Sequence, residues 1–319
     1  SRTSVGRFEF VKQTALHAGH VADEDVGPPN IDYDRFVVKP LTPLFGAEIS
    51  GLSVNELDDE AIKRVHEAWM DWKVLVFRNQ DINSDEQLAF ALNFGEVDRH
   101  PYLDVGKSED ISVLDNPGAP RFDRAYQAAV SATSNRELKA FGRWHTDATF
   151  RDCPPYSSFL IARILPSTGG DTVWADMEQV YEGLSVDIKS LIDGRTATHS
   201  VKKSSFVHGM SPEEKEEELG RSPPQHHPMV RTHPVTGRKS LYINSAFVDR
   251  IDGLSEGESR ELYRELTSEV HRPEYQMRLR WEVGTLTMWD NRCAQHYPVY
   301  DYYERRRMER VTLAGDRPF

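Results

Sequence analysis

Trp144-His145-Thr146-Asp147 places an imidazole and a carboxylate two residues apart. On an extended backbone that spacing turns both side chains to one side, so both can reach one metal from adjacent coordination positions. A third donor must come from elsewhere among the twelve histidines. His296 is the best placed, because it follows a buried strand expected to end Met288-Trp289-Asp290-Asn291 and lies in a Gln295-His296-Tyr297 turn. Two imidazoles and a carboxylate on one face of an octahedron leave the opposite face open, the arrangement that suits a non-haem Fe(II) oxygenase centre. Of three open positions, a 2-oxo acid takes two through its keto and carboxylate oxygens, and O2 takes the third. A His-x-Asp pair alone is also what a polar strand end produces. A Zn(II) hydrolase on the same triad and a non-catalytic anion-binding barrel are the competing readings.

The stretch Glu304-Arg305-Arg306-Arg307-Met308-Glu309-Arg310-Val311 argues for the oxygenase. Arg306 and Arg310 are four apart and share one face of a strand, where one guanidinium can grip the far carboxylate of a dicarboxylate and the other can meet an anionic substrate. Arg305 and Arg307 are expected to be solvated. His226, His227 and His233 suggest no second metal site, since Pro228 and Pro234 mark turns and no carboxylate stands at ligand spacing.

The elements that must hold these residues are mostly strands. Runs rich in β-branched and aromatic residues predict strands at 36–38, 47–52, 73–77, 157–164, 171–174, 240–244, 285–289 and 306–314. Helices are predicted over 58–71, with Ile62, Val65, His66 and Trp69 on one stripe, from Ser84 to Gly95 with Ser84-x-x-Gln87 as a capping box, over 185–192, and over 255–270 behind Ser255-x-x-Glu258. Residues 135–143 and 211–228 read as polar, mobile loops, although the acidic run 213–218 also suits a solvated helix. The fold class expected is mainly β with flanking helices, a double-stranded β-helix or jelly roll, because doubling the sheet removes exposed edges. Residues 1–34 are expected to form an arm and 35–319 a single catalytic domain.

With 39 Lys and Arg against 51 Asp and Glu, the formal charge of −12 disfavours nucleic acid and anionic membranes as partners. Two cysteines, Cys153 and Cys293, are too few for a disulfide framework and are expected to be reduced thiols. No apolar run approaches the roughly 18 residues of a membrane helix, and no secretory signal is visible, so a cytoplasmic protein is expected, with a homo-oligomer left open.

Five ordered segments are similar to the taurine/2-oxoglutarate dioxygenase family, which includes alkylsulfatase and phenoxyalkanoate dioxygenase relatives. They are F-G-A-E-I-S-G-L at 45–52, W-H-T-D-A-T-F at 144–150, L-P-S-T-G-G-D-T-V-W at 165–174, R-T-H-P-V-T-G-R at 231–238 and W-D-N-R-C-A-Q-H-Y at 289–297. The resemblance implies that His145, Asp147 and His296 hold Fe(II), and that Thr172 and Arg306 bind the distal carboxylate of 2-oxoglutarate. It further implies that Arg310, with His100, contacts the sulfonate or sulfate of a small organic anion, and that Phe247 is an aromatic wall of the pocket. The chain departs from the taurine enzymes at Phe141, where they carry an asparagine, and a larger or more apolar substrate is expected. The stretch 116–143 is also longer than theirs and would suit a lid of altered specificity.

Overall fold

The computed structural model describes residues 31–33, 35–99, 109–118, 144–204, 207 and 210–319. His100, Phe141 and most of the stretch 116–143 lie outside the described residues.

Eight strands form the largest sheet, in the order Ile31–Asp32, Val37–Pro40, Ala47–Ser50, Val74–Phe77, Leu286–Asp290, Ser157–Ile164, Arg306–Leu313 and Ser112–Asn116. All neighbours in it run antiparallel except Ala47–Ser50 with Val74–Phe77, which are parallel and joined through the helix Asp59–Trp72. That is the crossover a parallel pair requires. A three-stranded sheet of Gln276–Leu279, Thr172–Asp176 and Ala294–Pro298 packs against the large sheet. A second one joins Val248–Ile251, Thr196–His199 and Gln225–Pro228, and Val230–Thr232 pairs with Lys239–Leu241.

The continuous apolar runs follow from burial on both faces. Val74, Val76, Leu160, Ala162 and Met308 point to Trp174, Met277 and Leu279 of the smaller sheet. The alternate positions Leu75, Phe77, Phe159, Ile161, Val311 and Leu313 pack instead with Val65, Trp69 and Phe90 of the helices Asp59–Trp72 and Ser84–Leu92. Phe159 meets the rings of Phe90 and Phe94 at centroid distances of 5.7 Å each. Full burial of such a side chain contributes about 1.5–3 kcal/mol. The result is a jelly roll whose inner space lies between two sheets and whose helices lie outside.

Several local expectations shift. The first helix buries Ala61, Val65, Ala68, Trp69 and Trp72, while Ile62 and His66 are only half-buried. The second helix is capped one residue earlier than expected: the Asn83 side chain accepts from the backbone N–H groups of Asp85 and Glu86, and Glu86 returns the bond to the Asn83 N–H. Ser84 is thereby free to donate to Glu309 at 2.8 Å, and Gln87 is buried, with its amide on the carbonyls of Phe159 and Glu309. Residues 211–228 are not a loop. Pro212–Arg221 is a helix with a Ser211/Glu214 capping box, and Gln225–Pro228 is a strand. Cys153 and Cys293 are both free thiols. Among the described residues no helix is long and apolar enough to cross a membrane.

Candidate metal centre and anion pocket

His145 and His296 meet across an isolated antiparallel bridge, with reciprocal backbone bonds of 3.0 and 2.8 Å. His296 sits within the strand Ala294–Pro298 rather than in a turn, and Asp147 comes from the turn that follows His145 rather than from a strand. The pairing of His296 with Trp174 ties it to the strand that begins at Thr172. The two imidazole rings lie 4.1 Å apart, and each Nε2 is 4.0 Å from the same Asp147 oxygen, Oδ1. That separation is too long for a hydrogen bond. Ligand atoms on one face of an octahedron, with bonds of about 2.1 Å, stand about 3 Å apart, so a shift of about 1 Å would bring these donors to one ion. The donor set of two imidazole nitrogens and one carboxylate oxygen, all within 4.8 Å of one another, fits a divalent first-row metal.

Burial alone would push the Asp147 carboxyl up, but Arg310 and the two imidazoles outweigh it and hold the group well below the usual carboxylate range. It is an anion at neutral pH. The same burial pushes His296 well below its ordinary value, keeping it neutral and able to act as a ligand. Asp147 Oδ2 faces away from the histidines and accepts from Ser158 Oγ at 2.7 Å and from Asn291 Nδ2 at 3.3 Å.

Arg306 and Arg310 share a face of Arg306–Leu313, as their spacing predicts, and both are buried. Their surroundings differ. Arg310 donates to Asp147 Oδ1 at 3.0 Å, so its first partner is the oxygen that faces both imidazoles. Arg306 donates from Nε to the Gly170 carbonyl at 3.0 Å and faces the Tyr302 ring, and no carboxylate pairs with it among the described residues. Burial lowers its pKa. A buried guanidinium without a counter-ion is costly to the protein alone and is what an anion pocket requires. Thr172 is buried beside this turn, and its hydroxyl oxygen accepts from Trp281 Nε1 at 3.0 Å, which leaves the hydroxyl proton for a ligand. Arg305 is exposed and paired with Asp115, whereas Arg307 is half-buried and paired with Glu309.

Phe247 is buried against Phe150 at 5.1 Å, in a cluster with Ala148, Val201 and Val207 that adjoins the Asp147 turn. Ser158, Gly170, Trp281 and Asn291 were not assigned roles from the sequence. Each acts through a partner more than a hundred residues away, except Ser158, which reaches Asp147 across eleven.

Of the histidines set aside in the sequence, His227 bonds the Thr149 and Arg151 carbonyls, and the other two find carboxylates. His226 meets Asp252 at 2.7 Å, and His233 Nε2 meets Asp290 at 2.9 Å, with Cys293 close by. The second group is closed to a metal. His233 Nδ1 accepts from the backbone N–H groups of Val235 and Thr236, which makes Nε2 the donor. Both Asp290 oxygens are taken by Arg292, and the cluster is a buried structural hub.

Residues 38–312 match the family model described as taurine catabolism dioxygenase TauD, TfdA family. An alkylsulfatase of Acinetobacter baylyi is 35% identical over 291 residues, covering 88% of this chain and 85% of the relative. A 2,4-dichlorophenoxyacetate dioxygenase of Cupriavidus pinatubonensis, dependent on α-ketoglutarate, is 35% identical over 293 residues, covering 88% of this chain and 98% of its own. Among solved structures, AAD-2 in complex with Mn(II) and N-oxalylglycine superposes with a TM-score of 0.72 at 31% identity, over 89% of this chain and 98% of that one. A taurine dioxygenase from Burkholderia xenovorans gives a TM-score of 0.71 at 29% identity, over 89% and 91% of the two chains. The chain belongs to the TauD, TfdA family of dioxygenases.

Proposed function

We propose that residues 35–319 form one catalytic domain that binds Fe(II) through His145, Asp147 and His296 and uses 2-oxoglutarate and O2 to hydroxylate a carbon of a small organic anion. Dependence on 2-oxoglutarate follows from the class to which the chain belongs. The observation that carries the site assignment is the pair of buried arginines on one strand, Arg310 against the triad and Arg306 four residues away, with no carboxylate in ion-pair contact among the described residues.

Arg306 would hold the far carboxylate of 2-oxoglutarate, with Thr172 donating its hydroxyl proton to the same group. A ferrous ion in the triad would supply dioxygen activation, coupled to conversion of 2-oxoglutarate to succinate and carbon dioxide. Arg310 would orient the anionic group of the substrate beside the triad. Where the hydroxylated carbon bears a sulfonate or a sulfate ester, the product collapses to a carbonyl compound and releases sulfite or sulfate. That is the favoured substrate class, in line with an alkylsulfatase among the relatives and with the family resemblance that pairs His100 with Arg310.

A second reading, hydroxylation or ether cleavage of a carboxylate with an apolar body, is favoured by the Phe150–Phe247 wall, by Phe141 and by the 2,4-dichlorophenoxyacetate relative. A panel of alkyl sulfonates, alkyl sulfates, aryloxyalkanoates and simple carboxylates, read as substrate-stimulated succinate release, separates the two. The first predicts release with sulfonates or sulfates. Release with carboxylates only would replace it by the second.

A further inference from the structure

We propose that Asn291 is a positioning residue that confines Asp147 to presenting a single oxygen to the metal, acting together with Ser158 and itself held in register by Trp289. This rests on the metal assignment of the triad. A carboxylate's two oxygens are equivalent in isolation, and here the protein makes them different. Oδ1 lies 4.0 Å from both imidazole Nε2 atoms and 3.0 Å from Arg310. Oδ2 points the other way and is occupied by two donors, Ser158 Oγ at 2.7 Å and Asn291 Nδ2 at 3.3 Å, and Nδ2 also reaches Ser158 Oγ at 3.4 Å.

The orientation of the Asn291 amide is itself determined. Trp289 Nε1 can only donate, and it lies 2.9 Å from Asn291 Oδ1. A flipped amide would set donor against donor at Trp289 and acceptor against acceptor at Asp147. The Asp147 backbone N–H, 3.5 Å from the same Oδ1, favours the same orientation. Asn291, Trp289, Ser158 and Asp147 are all at most 4% exposed, so water does not substitute for a lost partner.

Turning the carboxylate so that both oxygens face the imidazoles would therefore break two hydrogen bonds and strand a buried amide. Asp147 is confined to binding through one oxygen. Three single-atom ligands leave three octahedral positions for co-substrate and dioxygen, whereas a two-oxygen carboxylate would consume one of them. Asn291 donates to Oδ2, the oxygen turned away from the imidazoles, and its role is exerted through Asp147.

Co(II) titrations followed by visible absorption, with thermal melts in parallel, test this on the full chain. Asn291→Ala and Ser158→Ala are each expected to weaken Co(II) binding by about tenfold or more. Each is also expected to shift the ligand-field bands toward a higher coordination number. The double variant should lose less than the product of the two, because both act on one oxygen. Folded variants that keep the wild-type Co(II) affinity and spectrum overturn the proposal. If Asn291→Ala does not fold, Ser158→Ala, which removes one hydroxyl, decides alone. Failure of the metal assignment has a different signature: the wild type would not take up Co(II), or His145→Ala would bind it as tightly.

Discussion

Arg306 is a buried cation whose desolvation costs the protein stability, a cost that the anion-binding role proposed for it would explain. Its guanidinium is buried, its Nε is satisfied by a backbone carbonyl, and no carboxylate neutralises it among the described residues. Replacing it with methionine should therefore separate binding from stability. Arg306→Met is expected to raise the KM for 2-oxoglutarate by about 30- to 1,000-fold, the equivalent of about 2–4 kcal/mol for a buried charged contact. The melting temperature should stay at or above that of the wild type, because a desolvated charge has been removed. Steady-state kinetics beside thermal melts check both halves, and a variant that loses stability with an unchanged KM would contradict the assignment. At this scale the grouping of His145, Asp147 and His296 was legible, since few residue types ligate metals and His-x-Asp stands in a recognisable segment. The groups that orient it were not. Asn291 and Trp281 are ordinary polar and aromatic residues whose roles arise only when Asn291 reaches Asp147, 144 positions away, and Trp281 reaches Thr172, 109 positions away.

The turn 167–171 joins the strand Ser157–Ile164 to the strand that begins at Thr172, and it fixes where Arg306 can lie. Gly170 adopts φ +74°, and a Cβ there would stand 3.1 Å from Arg306 Cδ and 3.2 Å from its Nε. Gly170→Ala combines a left-handed backbone, which costs an L-residue about 1–2 kcal/mol, with pressure on the arginine. It is expected to raise the KM for 2-oxoglutarate severalfold while leaving Co(II) affinity unchanged, which kinetics and a metal titration would show. Loss of metal binding instead would mean that the turn supports the triad rather than the anion pocket. Strands such as Ser157–Ile164 were readable almost to the residue because both of their faces are buried. For Pro212–Arg221 the sequence left a mobile loop and a solvated helix both open, because only Glu218 in it is buried and no apolar stripe exists to read. Its signal lay in the cap: Ser211 and Glu214 with Pro212 at the first position.

For the molecule as a whole, buried histidines set the response to acid. His199 is held well below 6.5 by burial, with His227 adding to it, and His227 and His66 are lowered chiefly by burial as well. Below about pH 6.5 the unfolded chain therefore binds protons that the folded chain refuses, and stability falls as pH falls. Asp147 and Asp290, both held below the ordinary carboxylate range, extend the loss in the same direction below about pH 4. Thermal melts should be nearly level between pH 7 and 8 and decline steadily from 6.5 to 5, and a melting temperature that rises on acidification would contradict this. The double-sheet architecture was legible from short strands with buried runs. The parallel pair Ala47–Ser50 with Val74–Phe77 was not drawn from it, although the strand, helix and strand read there stand in the order such a pair requires.

The central claim is that one site holds iron through His145, Asp147 and His296 and 2-oxoglutarate through Arg306. Anaerobic titration of the Fe(II)-loaded protein with 2-oxoglutarate tests it most directly. A weak visible charge-transfer band should grow to saturation in the wild type, require far more 2-oxoglutarate in Arg306→Met, and be absent in His145→Ala. Protein fully loaded with Fe(II) that develops no band at saturating 2-oxoglutarate would contradict the account.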